Sequence, residues 1–260
     1  MRRLSVFLYG VICYVLFLGT FLYAIGFVGN VLVPKSLDAI PTLPFAQALL
    51  VNLGLLSVFA LQHSVMARPA FKRWWTQTIP PPAERSTYVL FSSLALLLLF
   101  WQWQPMGGMV WQVENSAGRL LLHGLCAGGW LLVLASTFLI NHFDLFGLRQ
   151  VYLYLRGCEY TQLTFGTPGP YKLVRHPLYV GWFFAFWATP TMSAAHFVFA
   201  VMTAAYILIA IQLEERDLLA AHGESYAAYR RNVPMLIPRL FTKQKMPQPA
   251  VPEEQRKLAA

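Results

Sequence analysis

Apolar residues fill this chain in long blocks. Residues 4–33, 45–66, 87–103 and 120–140 are nearly free of charge, and such lengths suit helices crossing a hydrocarbon core of about 30 Å, which takes roughly 20 apolar residues. A fifth block, residues 178–213, would extend roughly 50 Å as one helix, too far for a single straight crossing. Ala188-Thr189-Pro190 and Ser193 interrupt it near its first third. The expected fold is an all-α integral membrane protein with four transmembrane helices followed by a C-terminal helical hairpin, whose first arm is short and whose second is full length.

Charge placement sets the expected orientation. Arg2 and Arg3 precede the first block; Arg68, Lys72, Arg73 and Arg85 lie in the second connection, and Arg149, Arg156, Lys172 and Arg175 in the fourth, whereas the first offers only Lys35. By the positive-inside rule both termini are cytoplasmic in a bacterial inner membrane, because Arg216, Arg230, Arg231 and Arg239 follow the fifth block. Composition agrees with a bilayer solvent: 57% of the 260 residues are hydrophobic, 12% are charged and mean hydropathy is +0.50, against about a quarter charged in a soluble domain. The net charge of +9 follows loops and tails, which argues for topology and against a nucleic-acid surface. Residues 4–33 are about twice as long as the apolar segment of a secretory signal, so they are kept as a first span.

Cys13, Cys126 and Cys158 have no metal-type spacing, and no metal site or disulfide framework is expected. Gly124 and Gly128 have the spacing that lets membrane helices approach closely, and packing is their expected role. Residues 1–240 form one membrane-embedded domain, four spans in 1–140 and the hairpin region in 141–240. Residues 241–260, polar and aperiodic, are expected to be a disordered tail.

The densest polar information is the run Gly169-Pro170-Tyr171-Lys172-Leu173-Val174-Arg175-His176-Pro177-Leu178-Tyr179-Val180-Gly181. Pro177 suits the first turn of a helix, whose unpaired amides and positive dipole end would then stand beside Arg175 and His176 as a carboxylate site. An interfacial helix start with a snorkelling arginine accounts for the run equally well. The fifth block ends in Glu214-Glu215-Arg216-Asp217, and acidic residues against a membrane span are costly unless paired or functional. If the chain doubles back, the two ends of the hairpin meet, either as a cofactor cradle or as a plain Arg–Glu clamp.

The run 169–181 with Arg175-His176-Pro177, then Glu214-Glu215-Arg216, then His222-Gly223 and the segment 226–238 resembles the C-terminal signature of the isoprenylcysteine carboxyl methyltransferase and phospholipid methyltransferase superfamily. Tyr9-Gly10, Phe27-Val28-Gly29-Asn30, Leu61-Gln62-His63-Ser64-Val65-Met66 and Asn141-His142-Phe143-Asp144-Leu145-Phe146-Gly147-Leu148-Arg149-Gln150 narrow the likeness to the bacterial methanethiol S-methyltransferases, over roughly residues 1–240. The resemblance implies S-adenosylmethionine bound in a cytoplasmic cofactor-binding region and methylation of methanethiol to dimethyl sulfide. On it, Arg175, His176 and the helix amides would hold the cofactor carboxylate. Glu214 or Glu215 would take the ammonium or ribose, and Tyr171, Tyr179 or Tyr226 the adenine.

His63 and His142 close the second and fourth blocks at matching depth and are the candidates to accept the thiol proton; His123, at the far end of its block, is the weaker candidate. Phe21, Trp182, Phe183 and Phe186 are candidate walls for a small substrate, with helix packing or lipid contact as the plainer account. Three rival readings stay open: the same cofactor with a lipid or prenylated-thiol acceptor, a membrane reductase using NADPH, and a non-enzymatic haem or quinone protein using His63, His123 and His142. Partners are therefore a small volatile thiol and membrane lipid.

Overall fold

The computed structural model describes residues 1–239; the expected tail at 241–260 lies outside them. Nine helices occur among the described residues: α1 (Arg2–Gly29), α2 (Phe45–Ala67), α3 (Pro69–Trp75), α4 (Glu84–Gln102), α5 (Ser116–Ile140), α6 (His142–Leu145), α7 (Leu148–Arg156), α8 (Pro177–Trp187) and α9 (Ala194–Asn232). Five of them, α1, α2, α4 (with the 3-10 turn before it), α5 and α9, are long and apolar enough to cross a membrane.

Helix ends follow local chemistry more closely than hydropathy does. α1 stops four residues before the apolar block does, because Asn30 turns left-handed at φ 56° and its N–H bonds Gly26 O. Asparagine is among the few residues that adopt that turn at low cost. α5 starts earlier than the block it fills, at Ser116, because the Asn115 side chain accepts from Gly118 N–H at 3.0 Å. Ser193 caps α9 in the same way, accepting from His196 N–H at 3.1 Å.

The fifth block does double back. α8 is eleven residues long, about 16 Å. A connection at 188–193 then leads into α9 through a short strand, β2 (Thr191–Ser193), which pairs antiparallel with β1 (Met109–Gln112) in the link between α4 and α5. This ribbon ties the α8–α9 turn to the far ends of α4 and α5. At the opposite end, Arg68 Nη1 after α2 meets Asp217 Oδ2 on α9 at 3.1 Å. Past its apolar stretch α9 breaks at Gly223, whose φ 53° and ψ −129° are not helical, and a second helical segment continues to Asn232.

Packing centres on Phe27, Leu99, Phe100, Trp103, Trp130 and Phe199. α5 and α8 are the tightest pair: a Cβ on Gly129 would stand 2.6 Å from Ala185 N and 2.7 Å from Gly181 O, and one on Gly181 would stand 2.8 Å from Gly129 O. Gly124 and Gly128, expected at a helix contact, have nothing within 4 Å of a built Cβ. The small-residue contact is real but is one residue out of phase with that expectation.

Candidate functional site

Arg175 and His176 lie just ahead of α8 because Pro177 opens the helix, and the backbone there is held by the chain beyond α9. Arg175 N–H donates to Pro234 O at 2.8 Å and His176 N–H to Met235 O at 3.2 Å. Val180 N–H to His176 O, 3.1 Å, closes the first helical turn, so the Leu178 and Tyr179 amides remain as end-of-helix donors. The same segment rests against the last turns of α5, with Tyr171 beside Ser136 and Gly169 against Leu139. Burial, then the negative charge of Glu214, pushes the Tyr171 phenol above its ordinary value.

Two acidic neighbours on α9 divide the labour. Glu215, 2% exposed, receives Arg175 Nε at 2.7 Å and His176 Nε2 at 3.0 Å on Oε1, while Arg230 Nε reaches Oε2 at 3.0 Å. Arg175 Nη1 also donates to the carbonyls of Val233 and Arg230, at 2.5 and 3.1 Å. Glu215 with Arg175 is thus the clamp that closes the hairpin. Three of these bonds tie up Nε and Nη1, so only Nη2 is left for a ligand's carboxylate. Glu214, its side chain 46% exposed, accepts only Tyr179 OH, at 2.9 Å, as a hydrogen bond.

Tyr226, expected beside the cofactor, is fully buried and its hydroxyl has no hydrogen-bond partner. Phe165 gathers His222, Tyr226 and Tyr229 around itself, with ring centroids at 5.2, 5.7 and 5.5 Å. Tyr229 OH donates to Tyr171 O at 2.6 Å. Together these give a nest of inclined aromatic rings near the half-exposed Glu214 carboxylate and the α8 amides.

His142 is buried and His63 half-buried, each with a tyrosine hydroxyl against its ring. Thr137 Oγ1 donates its proton to Leu134 O at 2.7 Å, so at 2.8 Å it accepts from His142 Nδ1–H, leaving Nε2 to accept Tyr14 OH at 2.8 Å. His142 stacks on Phe138 at 4.1 Å, and burial lowers its basicity. His63 repeats the device. Ser92 Oγ donates to Tyr88 O at 2.9 Å and lies 3.1 Å from His63 Nδ1; Tyr88 OH lies 2.8 Å from Nε2 and 3.0 Å from Nδ1. Next to it, Ser64 Oγ and Tyr206 OH are 3.1 Å apart. Neither Tyr14 nor Tyr88 stood out in the sequence; the visible signal is a phenol inside an apolar span, about one turn into α4 for Tyr88 and about three turns into α1 for Tyr14.

Phe17 stacks on Phe146 at 3.8 Å; both pack against Met66 and Tyr88, and Phe146 also meets the His142 ring at 4.8 Å. Phe21, Trp182 and Phe186 join Trp130 in one aromatic cluster; Phe183 stands outside it. A surface cleft of about 700 Å³ opens among Lys72, Glu84, Arg85, Asp144 and Tyr160, and none of Arg175, His176, Glu214 or Glu215 lines it. Among the described residues no group of three His, Cys, Asp or Glu is placed to hold a metal.

Comparison with known proteins adds the chemistry. The profile of the family described as phospholipid methyltransferase matches residues 123–225. The chain is 62% identical over 238 residues to the methanethiol S-methyltransferase of Crocosphaera subtropica, covering 92% of this chain and 93% of that one. It is 56% identical to methanethiol S-methyltransferase 2 of Bradyrhizobium diazoefficiens, covering 94% and 93%, and 56% identical to the methanethiol S-methyltransferase of Mycobacterium tuberculosis, covering 92% and 98%. No solved structure matches. Identity at this level along nearly the whole of each chain means that this protein belongs to the methanethiol S-methyltransferase family of membrane methyltransferases.

Proposed function

We propose that the protein methylates methanethiol to dimethyl sulfide with S-adenosylmethionine, at the cytoplasmic face of a bacterial inner membrane. The observation that carries this reading is the meeting of the α8 entrance with the α9 exit, Arg175 Nε to Glu215 Oε1 at 2.7 Å, which gathers a carboxylate, helix amides and aromatic rings at one end of the bundle. The relatives' names support the acceptor, and the basic connections support the sidedness.

The residues present fit the methyl donor. Glu214 offers a half-exposed carboxylate to its ammonium or ribose, Arg175 Nη2 and the Leu178 and Tyr179 amides suit its carboxylate, and the orphaned Tyr226 hydroxyl sits within the ring nest suited to adenine. When bound, that donor supplies an electrophilic methyl group on a cationic sulfur. Neutralising thiolate against sulfonium spreads charge out as the barrier is climbed, so a dry, apolar chamber costs the transition state little. His63 and His142, each with a tyrosine hydroxyl against its ring, are the candidates for the final acceptor of the thiol proton. A substrate of two heavy atoms gains at most roughly 3 kcal/mol on binding, so a high KM is expected.

Membranes containing the protein, given methanethiol and S-adenosylmethionine, should release dimethyl sulfide into the headspace, and membranes lacking it should not. A labelled methyl group recovered in the lipid extract instead would move the assignment to a lipid acceptor. Transfer to neither would end the reading.

A further inference from the structure

A buried methyltransferase that takes a thiol must remove a proton, and a simple alkanethiol is less acidic than cysteine at about 8.5. In each of two His–Tyr pairs a Ser or Thr hydroxyl, its own proton given to a backbone carbonyl, stands against Nδ1 and favours Nδ1–H with Nε2 turned to the phenol; the Tyr88 oxygen lies 2.8 Å from His63 Nε2 and 3.0 Å from Nδ1. In both pairs the phenol oxygen stands 2.8 Å from the imidazole Nε2.

The pairs differ in what surrounds the phenol. The Arg85 guanidinium lies 5.2 Å from the Tyr88 ring centroid, where a cation eases the negative charge that grows on the oxygen as its proton moves. Tyr88 is also within electrostatic reach of Tyr179, whose hydroxyl is bound to Glu214 in the donor site. Arg85 lines the 700 Å³ surface cleft, a route for water to the same residue. Tyr14 has neighbours of another kind: Phe17, Phe143 and the His142 ring, which is itself stacked on Phe138. The groups facing the His63–Tyr88 pair are Arg85 and Ser92 on α4, Arg68 after α2, Tyr206 on α9 and Tyr179 on α8.

We infer that Tyr88 is the catalytic residue that receives the thiol proton, and that His63 is the positioning residue behind it which takes the phenolic proton on Nε2. The S–H bond breaks as its proton passes to the Tyr88 oxygen, while the Tyr88 O–H proton passes to His63. The substrate sulfur keeps the electron pair and forms the new C–S bond. The old C–S bond breaks with its pair going to the sulfonium sulfur, which becomes a neutral thioether. The proton left on His63 returns to water along the Arg85 side. This inference rests on the proposed function for the existence of a thiol substrate.

Tyr88→Phe keeps the ring and removes the relay. In purified protein its kcat/KM for methanethiol near neutral pH should fall roughly 100-fold, within the usual range for a lost acid–base group. The rate should then climb about tenfold per pH unit, as free thiolate takes over, and approach wild type in alkaline solution. Calorimetric affinity for S-adenosylmethionine should be unchanged in Tyr88→Phe and in His63→Gln, and nitrogen-15 spectra of wild-type His63 should show a protonated Nδ1 and a bare Nε2. Tyr14→Phe should keep the wild-type pH profile. A loss of equal size at every pH, no loss at all, a reversed His63 tautomer, or alkaline recovery in Tyr14→Phe but not in Tyr88→Phe would each overturn the assignment. Wild-type protein inactive on methanethiol would instead bring down the proposed function.

Discussion

Glu215 and Glu214 are adjacent in sequence and differ in almost everything else. A carboxylate enclosed by Arg175, His176 and Arg230 is held by charge-assisted bonds, and removing it strands cations in a buried site. Such losses cost about 3–5 kcal/mol. Glu215→Ala should therefore lower the thermal unfolding midpoint in detergent by several degrees, whereas Glu214→Gln should leave it in place while weakening calorimetric binding of S-adenosylmethionine. A matching loss of midpoint in both variants would contradict this division. The sequence already pointed to an Arg175–acid meeting. It could not say which acid, because neighbours on a helix point about 100° apart and only the phase of α9 against α8 decides between them. The cofactor-carboxylate role expected of Arg175 is narrowed for a similar reason: the acceptors that occupy it, Val233 O and Arg230 O, come from a C-terminal return that has no hydrophobic period to announce it.

Among the elements, the apolar blocks located the five long helices, since hydropathy is what a bilayer selects. Their ends escaped by a few residues because Asn30, Asn115 and Ser193 stop or start helices by hydrogen bonding. The short elements α3, α6 and α7 and the β1–β2 ribbon were not anticipated; none is long enough to impose a period. The α5–α8 contact shows the limit of motif reading. Gly124 and Gly128 had the expected spacing, yet Gly129 and Gly181 face each other, since the contact depends on which side of α5 looks toward α8. Gly181→Ala would push a methyl group against the Gly129 carbonyl and the Val133 amide, both backbone atoms that cannot swing away. Overpacking of this kind costs about 1–3 kcal/mol. The variant should unfold at lower temperature, and Gly124→Ala, facing open space, should not.

Across the whole molecule a second polar cluster sits at the ribbon end, away from the donor site. Asp38, from the link between α1 and α2, receives the Ser193 hydroxyl and Asn30 Nδ2, and faces His196 Nδ1 at 3.2 Å. Residues so far apart in the chain carry no joint signature, so this latch was invisible before the fold was known. Burial works to raise the Asp38 carboxyl, but the bond and charge of His196 with the Ser193 and Asn30 hydrogen bonds bring it below its ordinary value near 3.8. A lowered folded value means that the latch stabilises fully above that ordinary value and fades as pH falls through the lower one. Thermal midpoints recorded from pH 6 down to pH 3 should drop below about pH 4 in wild type and flatten in Asp38→Asn, relative to one another.

The brevity of α8 has its own outcome. Eleven residues cover about half of a hydrocarbon core, and the remaining depth on the donor side is taken by the irregular run 169–176, held by α5 and by the chain after α9. Bare backbone survives at such depth only where protein shields it. On the proposed reaction, the spent donor, polar and water-soluble, would depart on this shielded side without touching acyl chains. The thioether made there would carry no charge and dissolve in oil, so it would be free to leave sideways into the lipid, and the two products would not queue for the same door.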